Sequence, residues 1–152
     1  MCFLLFLSTK EPADYKHRYK MALARMSPEN RHRLKEKIVN ATEIKVDTTT
    51  FCYLYKCTYR NFDEYPSLRT PDGSYIKAHR CVYFGTHTTA TEVPDKSVDI
   101  SHRCHKKRCV RIDHLVAEKR SQNSLRKACR SANVCLGPAQ HDGLECVFPE
   151  HQ

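Results

Sequence analysis

Residues 101–129, SHRCHKKRCVRIDHLVAEKRSQNSLRKAC, decide the reading of this chain. They hold Cys104, Cys109 and Cys129 together with His102, His105 and His114, and the next stretch adds Cys135, His141 and Cys146. Zinc takes four soft or borderline ligands, and Cys thiolate and His imidazole are its usual ones. Four residues separate Cys104 from Cys109, and four more separate Cys109 from His114. Such spacings let a short loop fold back and present several ligands to one ion. The segment 101–113 has few aliphatic side chains, so metal must replace part of a core.

Composition points the same way. The 152 residues carry a net charge of +9 and a pI near 9.2, which suits an anionic partner: nucleic acid first, an anionic membrane surface second. Only 4 glycines and a modest apolar content predict a small core that needs a metal or disulfide staple. The count of 9 cysteines is odd, and the apolar stretch from Cys2 to Leu7 has no basic segment before it. Both features speak against a secreted disulfide scaffold. The stretch is also far too short to span a bilayer. An intracellular, reducing compartment fits zinc better than disulfides.

Upstream, residues 86–99 read as a polar connection. YPSLRT, then PDG, then SYIKAHRCVYF predicts two strands joined around a Pro-Asp-Gly turn. On such a ribbon Tyr75, Lys77 and His79 face one way and Ile76, Ala78 and Arg80 the other. With Arg69, Lys77 or Arg80 beside tyrosines, the ribbon fits a DNA major groove or is simply half exposed. TEIKVDTTTFCYLYKCTY is rich in β-branched and aromatic residues and reads as strand. Residues 11–40 read as two basic helices, the second begun by Ser27-Pro28-Glu29 and burying Leu34, Ile38 and Val39. Their charged faces suit either phosphate or plain solvation. Downstream, HLVAEKRSQNSLRKAC from His114 predicts one helix, and the segment after it is loop-like.

The pattern SH-x-C-H-x3-C-x4-HL, followed by Asn123 nine residues after His114 and Cys129 six further on, resembles the His-Cys box homing endonucleases. These are ββα-metal, or His-Me finger, nucleases. The resemblance covers about residues 52–146 and is strongest over 101–129. It implies an α+β fold: a small ββα-metal core with an antiparallel hairpin, stapled by two structural zinc sites, plus N-terminal basic helices. The expected division is a basic helical extension over 1–45 and a zinc-stapled nuclease-like domain over 46–152.

Carried over residue by residue, the resemblance gives His102 the role of general base and Asn123 that of protein ligand to a catalytic Mg2+. Cys104, Cys109 and His114 fall on ligands of the first structural Zn2+, with Cys52 or Cys57 as the fourth. Cys129, Cys135, His141 and Cys146 fall on the second, although the spacing around His141 departs from the family and His151 is the other downstream histidine. Cys2, Cys57 and Cys81 are left over, and Cys81 reads as core. The chemistry agrees with these roles. Histidine takes a proton near neutral pH, and an amide offers the hard oxygen that magnesium prefers. A phosphate-stabilising cation is also expected, with Arg69, Lys77 and Arg80 as DNA-contact candidates. His105 competes with His102 by spacing alone, and Lys106-Lys107-Arg108 either touch phosphate or form a solvated loop tip.

The expectation is therefore a Mg2+-dependent DNA endonuclease that hydrolyses phosphodiester bonds in double-stranded DNA. It would be intracellular, in the nucleus, and not membrane-bound. The resembling enzymes act as dimers, so a homodimer is admitted. The alternatives are a catalytically inactive zinc-stapled DNA-binding module derived from such an enzyme, and a zinc-dependent protein-interaction module.

Overall fold

A computed structural model describes residues 26–41, 44–55, 65–70, 73, 75–87, 98–141 and 143–147. The first expected basic helix, Cys2, Cys57 and His151 lie outside the described residues. The second helix, α1, runs Pro28–Val39. The Ser27 side chain accepts a hydrogen bond from the Asn30 amide at 3.3 Å, and Pro28 opens the helix where its missing N–H costs nothing. Ile38 is fully buried and Leu34 half-buried, whereas Val39 is exposed and Arg31 is buried in its place.

Among the described residues three antiparallel hairpins follow. Strands β1 (Ile44–Asp47) and β2 (Cys52–Tyr55) pair across a tight turn at 48–51. Strands β3 (Ser67–Arg69) and β4 (Tyr75–Lys77) pair around the Pro-Asp-Gly segment as expected. The ribbon is shorter than its sequence suggests, because helix α2 (Ala78–Thr86) begins directly after Lys77. Ala78, Cys81, Val82 and Gly85 recur at helical spacing and are all buried, so a period of 3.6 prevails over the alternation read there. Arg80 therefore lies on a helix and not on the ribbon.

Strands β5 (Val98–His102) and β6 (Leu115–Lys119) pair in register, His102 opposite Leu115 and Val98 opposite Lys119. A 3-10 turn, Ile112–His114, precedes β6, and helix α3 (Arg120–Ala132) follows it. The expected helix from His114 is thus a strand and then a helix. The edge offered by β5 satisfies the backbone of Leu115–Lys119, and tertiary pairing overrides local propensity. The helix start is marked by Gln122 Oε1 accepting the Lys119 N–H at 3.0 Å, and Asn133 closes α3 in the left-handed conformation, φ 53°. Together β5, β6 and α3 form a ββα unit.

The apolar core lies beside that unit. Ile38, Ile76, Ala78, Cys81, Val82, Phe84, Ile100, Val110 and Leu115 pack together. Burial pushes the Cys81 thiol up to about 12, so it behaves as an inert apolar group. Helices α1 and α2 meet at Gly85, where a Cβ would stand 2.7 Å from the Arg31 carbonyl oxygen and 2.6 Å from Lys35 Cβ. Gly85→Ala should destabilise the fold: overpacking costs about 1–3 kcal/mol, against a helix-propensity gain of about 1 kcal/mol. A lower urea midpoint with an unchanged slope is the expected result.

Candidate functional site

Two groups of Cys and His side chains flank the ββα unit. In the first, Cys52, Cys104, Cys109 and His114 are all buried, with ligating atoms within 4.8 Å of one another. Zinc ligands at about 2.3 Å form a tetrahedron with edges of about 3.8 Å, so the group needs only a small contraction to hold the ion. Local structure explains the convergence. His105 takes a left-handed backbone, φ 57°, and the Cys109 N–H donates to the Lys106 carbonyl at 2.9 Å, which folds the CHKKRC loop on itself. Strand β2 then pairs with this loop: Tyr55 N–H donates to Arg108 O at 3.0 Å and Val110 N–H to Tyr53 O at 2.9 Å. That pairing brings Cys52 to 3.4 Å from His114 Nδ1.

The thiols of this group are strongly perturbed. Hydrogen bonds from Cys104 and Cys109 hold Cys52 far below the usual thiol range. The Cys104 thiol is raised by its contacts with Cys109 and Cys52 and by burial. Cys109 is drawn down by Cys104, but Cys52 and burial push it up to about 12. Three thiols packed this closely cannot all ionise without a cation among them, and a bound dication would supply that charge.

The second group is Cys129, Cys135, His141 and Cys146, again within 4.8 Å. His141 Nε2 lies 3.2 Å from Cys129 Sγ and 3.8 Å from Cys146 Sγ. Backbone amides already point at the sulfurs: Leu136 N–H to Cys129 Sγ at 3.4 Å and Cys146 N–H to Cys135 Sγ at 3.4 Å. Burial lowers the His141 pKa, with Arg126 adding to the effect, and a neutral imidazole is what a metal ligand requires. Both Cys3His sets suit zinc, and all the described cysteines are free rather than disulfide-bonded.

A buried ion pair joins the second group to β5 and β6. Arg126 on α3 donates to Glu118 on β6 at 2.8 Å, and both side chains are almost fully enclosed. Ser101, next to His102, donates to the same carboxylate. Arg126 also reaches the Leu144 carbonyl at 2.8 Å and Cys146 Sγ at 3.6 Å. The segment after α3 returns to the residue that follows β5 as well, with Val147 N–H donating to Arg103 O at 2.8 Å.

His102 ends β5 with only 7% of its surface exposed. Its Nε2 lies 3.0 Å from the Cys109 carbonyl oxygen. A carbonyl only accepts, so Nε2 carries the proton and Nδ1 keeps its lone pair. Burial lowers the His102 pKa to about 4, against the raising effect of that carbonyl, which leaves the ring neutral at physiological pH. The ring packs 4.6 Å from His79 of α2 and 5.9 Å from Tyr65. His79 is buried and held well below the normal range by burial and by the proximity of His102, while one of its ring N–H groups donates to the Ile100 carbonyl, which opposes that lowering. His105 sits elsewhere, lowered to about 4 by burial and by Arg126 and Arg130. The environment thus separates two histidines that sequence spacing leaves equivalent.

Asn123 lies one turn into α3. Its Nδ2 donates to Asp99 Oδ2 at 3.1 Å, so the carbonyl end of the amide, Oδ1, is left for another partner. The residues fit magnesium by chemistry: a hard amide oxygen with a carboxylate beside it. The hydrogen bonds of Asn123 and His102 go to different partners, Asp99 and the Cys109 carbonyl. Of the basic candidates, Lys77 Nζ stands 5.3 Å over the Tyr65 ring, Arg80 packs on Phe84 at 5.7 Å, and Arg69 is exposed at the end of β3. Lys107, from the zinc loop, covers Tyr65 at 5.4 Å.

Sequence reasoning missed His79, Asp99 and the Glu118–Arg126 pair. Asp99 carried one usable signal: it shares a strand face with Ser101 by alternation. The ion pair carried none, because eight residues with a strand-to-helix change between partners follow no simple period.

Among the described residues no helix is long and apolar enough to cross a membrane. Comparison with curated proteins and with solved structures finds no match. Residues 40–151, however, match the family described as the zinc-binding loop region of homing endonuclease. With both Cys3His groups and the ββα unit inside that span, the chain belongs to this family of zinc-binding homing endonuclease regions.

Proposed function

We propose that the protein is a DNA endonuclease that hydrolyses phosphodiester bonds with one Mg2+, His102 acting as general base. The observation that carries this reading is the 3.0 Å contact of His102 Nε2 with the Cys109 carbonyl. It holds the ring in the tautomer whose Nδ1 can take a proton from water, the orienting role that such a partner plays in other acid–base sites. Cys109 belongs to the first Cys3His group, so zinc binding would hold the carbonyl that holds the base. Asn123 Oδ1 would hold the magnesium, which when bound neutralises phosphate charge and stabilises the leaving oxygen. The base and the ligand need no mutual contact, because the scissile phosphate would lie between them. Lys77 and Lys107, gathered on Tyr65 beside His102, supply positive charge for that phosphate. Arg69 and Arg80 are proposed as further DNA contacts.

The substrate class is double-stranded DNA, for which the net charge of +9 provides attraction. The reading carries with it a homodimeric, nuclear enzyme, with residues 1–45 as a basic extension of the nuclease-like domain.

The test is cleavage of random-sequence duplex DNA by zinc-loaded protein with and without Mg2+. His102→Ala should lower nicking by about two to four orders of magnitude while zinc content stays at the parent value. Full activity in that variant would discard the mechanism. Salt-sensitive DNA binding by the parent without any cleavage would establish the inactive binding module instead.

A further inference from the structure

We propose that Asp99 is a positioning residue, whose carboxylate holds the Asn123 amide in the one orientation that turns Oδ1 toward a divalent cation. The inference rests on the reading of Asn123 as the metal ligand. An asparagine amide has two ends of nearly equal size and opposite polarity. An amide free to flip presents its NH2 group to a cation about as readily as its oxygen, and the NH2 group cannot ligate. A carboxylate accepts hydrogen bonds and donates none when ionised. With Asp99 Oδ2 at 3.1 Å from Nδ2, the flipped amide would set carbonyl oxygen against carboxylate oxygen. The flip is therefore disfavoured, and the oxygen faces away from Asp99.

The surroundings of Asp99 show that the hairpin itself gains little from it. Its partner across β5 and β6 is Glu118, and like charges directly opposite one another weaken a hairpin. Glu118 is fully engaged by Ser101 and by the buried Arg126. Asp99 instead turns to Asn123 and to the Arg120 guanidinium, whose Nε lies 3.6 Å away on a largely exposed side chain. An uncharged residue would serve strand pairing better. Asp99 also stands three residues before His102 on the same strand, so one rigid β5 would carry the base and the group that orients the metal ligand. Partners of metal ligands that hold them in place are a recurring feature of metal sites.

The experiment compares Asp99→Ala with Asp99→Asn. Asparagine keeps an oxygen that accepts from Asn123 Nδ2 and removes only the charge; alanine removes both. Asp99→Ala should lower cleavage by about 10- to 100-fold and raise the Mg2+ concentration needed for half-maximal rate, and Asp99→Asn should restore most of the loss. Both remove a cross-strand repulsion and the weak contact with the largely exposed Arg120, so the melting temperature should change little. Independently of activity, the Asn123 side-chain amide is followed in 15N-labelled, zinc-loaded protein, assigned by its loss in Asn123→Ala. The amide should shift toward the free-amide position in Asp99→Ala and hold its place in Asp99→Asn. An unmoved signal in Asp99→Ala, or an Asp99→Asn variant as impaired as the alanine, would overturn the proposal. If the parent protein cuts no DNA, the nuclease reading falls, and the amide signals still decide whether Asp99 holds Asn123.

Discussion

Cys109→Ser should unfold the loop from Ser101 to His114 and release β2 from it, even in excess zinc. Cys109 is fully buried and stands beside Cys52, Cys104 and His114. It also lies where β2 meets the loop, bridged to Leu54 and flanked by the hydrogen bonds of Arg108 and Val110. Serine there leaves three ligands and a hydroxyl that zinc binds poorly. Structural zinc binding is worth about 10–16 kcal/mol in small peptides near neutral pH, and that energy is folding energy. A whole domain is stable by only about 5–15 kcal/mol, so losing this centre should abolish the native state of the nuclease-like region. The expected measurements are a zinc content below the two per chain that the two Cys3His groups would hold and a lost or strongly lowered thermal transition by circular dichroism. Parent protein in chelator should behave alike. An unchanged melting curve would count against zinc at this site. Cys135→Ser should do less global harm, because Cys135 is half-buried on a segment that leaves α3.

The second large effect is expected at Arg126. The Arg126→Met variant leaves Glu118 as an uncompensated carboxylate with only the Ser101 hydroxyl to hold it. Breaking a buried pair from one side costs about 3–5 kcal/mol. The loss also removes the donor to the Leu144 carbonyl and to Cys146 Sγ, so the second Cys3His group should bind zinc more weakly. Denaturant unfolding of the zinc-loaded variant and a zinc competition titration check both parts. Equal stability and equal zinc affinity would show that the pair does not link α3 to the segment around Cys146. Replacing Glu118 and Arg126 together by apolar residues of similar size should be much milder than either single change.

Much of the metal chemistry was legible in advance because ligand spacing is local. Cys104, Cys109 and His114 lie within one short loop, and chain connectivity alone keeps them close. Cys129 through His141 to Cys146 behave likewise. The α+β class and the family also followed from that run and its resemblance. Strand register was not legible. Cys52 joins the first group because β2 pairs with the loop near Cys109, a contact between residues more than fifty apart in the chain. Strand alternation puts Lys77 and Arg80 on one ribbon, yet helix α2 starts between them because the buried face of Ala78, Cys81, Val82 and Gly85 must meet α1.

The residues alone thus determined which side chains can ligate metal and which two histidines compete for the role of base, since donor chemistry and short spacing are properties of the sequence itself. Only tertiary structure decided that Leu115–Lys119 is a strand, that His102 rather than His105 sits against His79 and the Cys109 carbonyl, and that Asp99 meets Asn123. Those outcomes depend on which backbone edge is open for pairing and which face is buried, and both are set by partners far away in the chain.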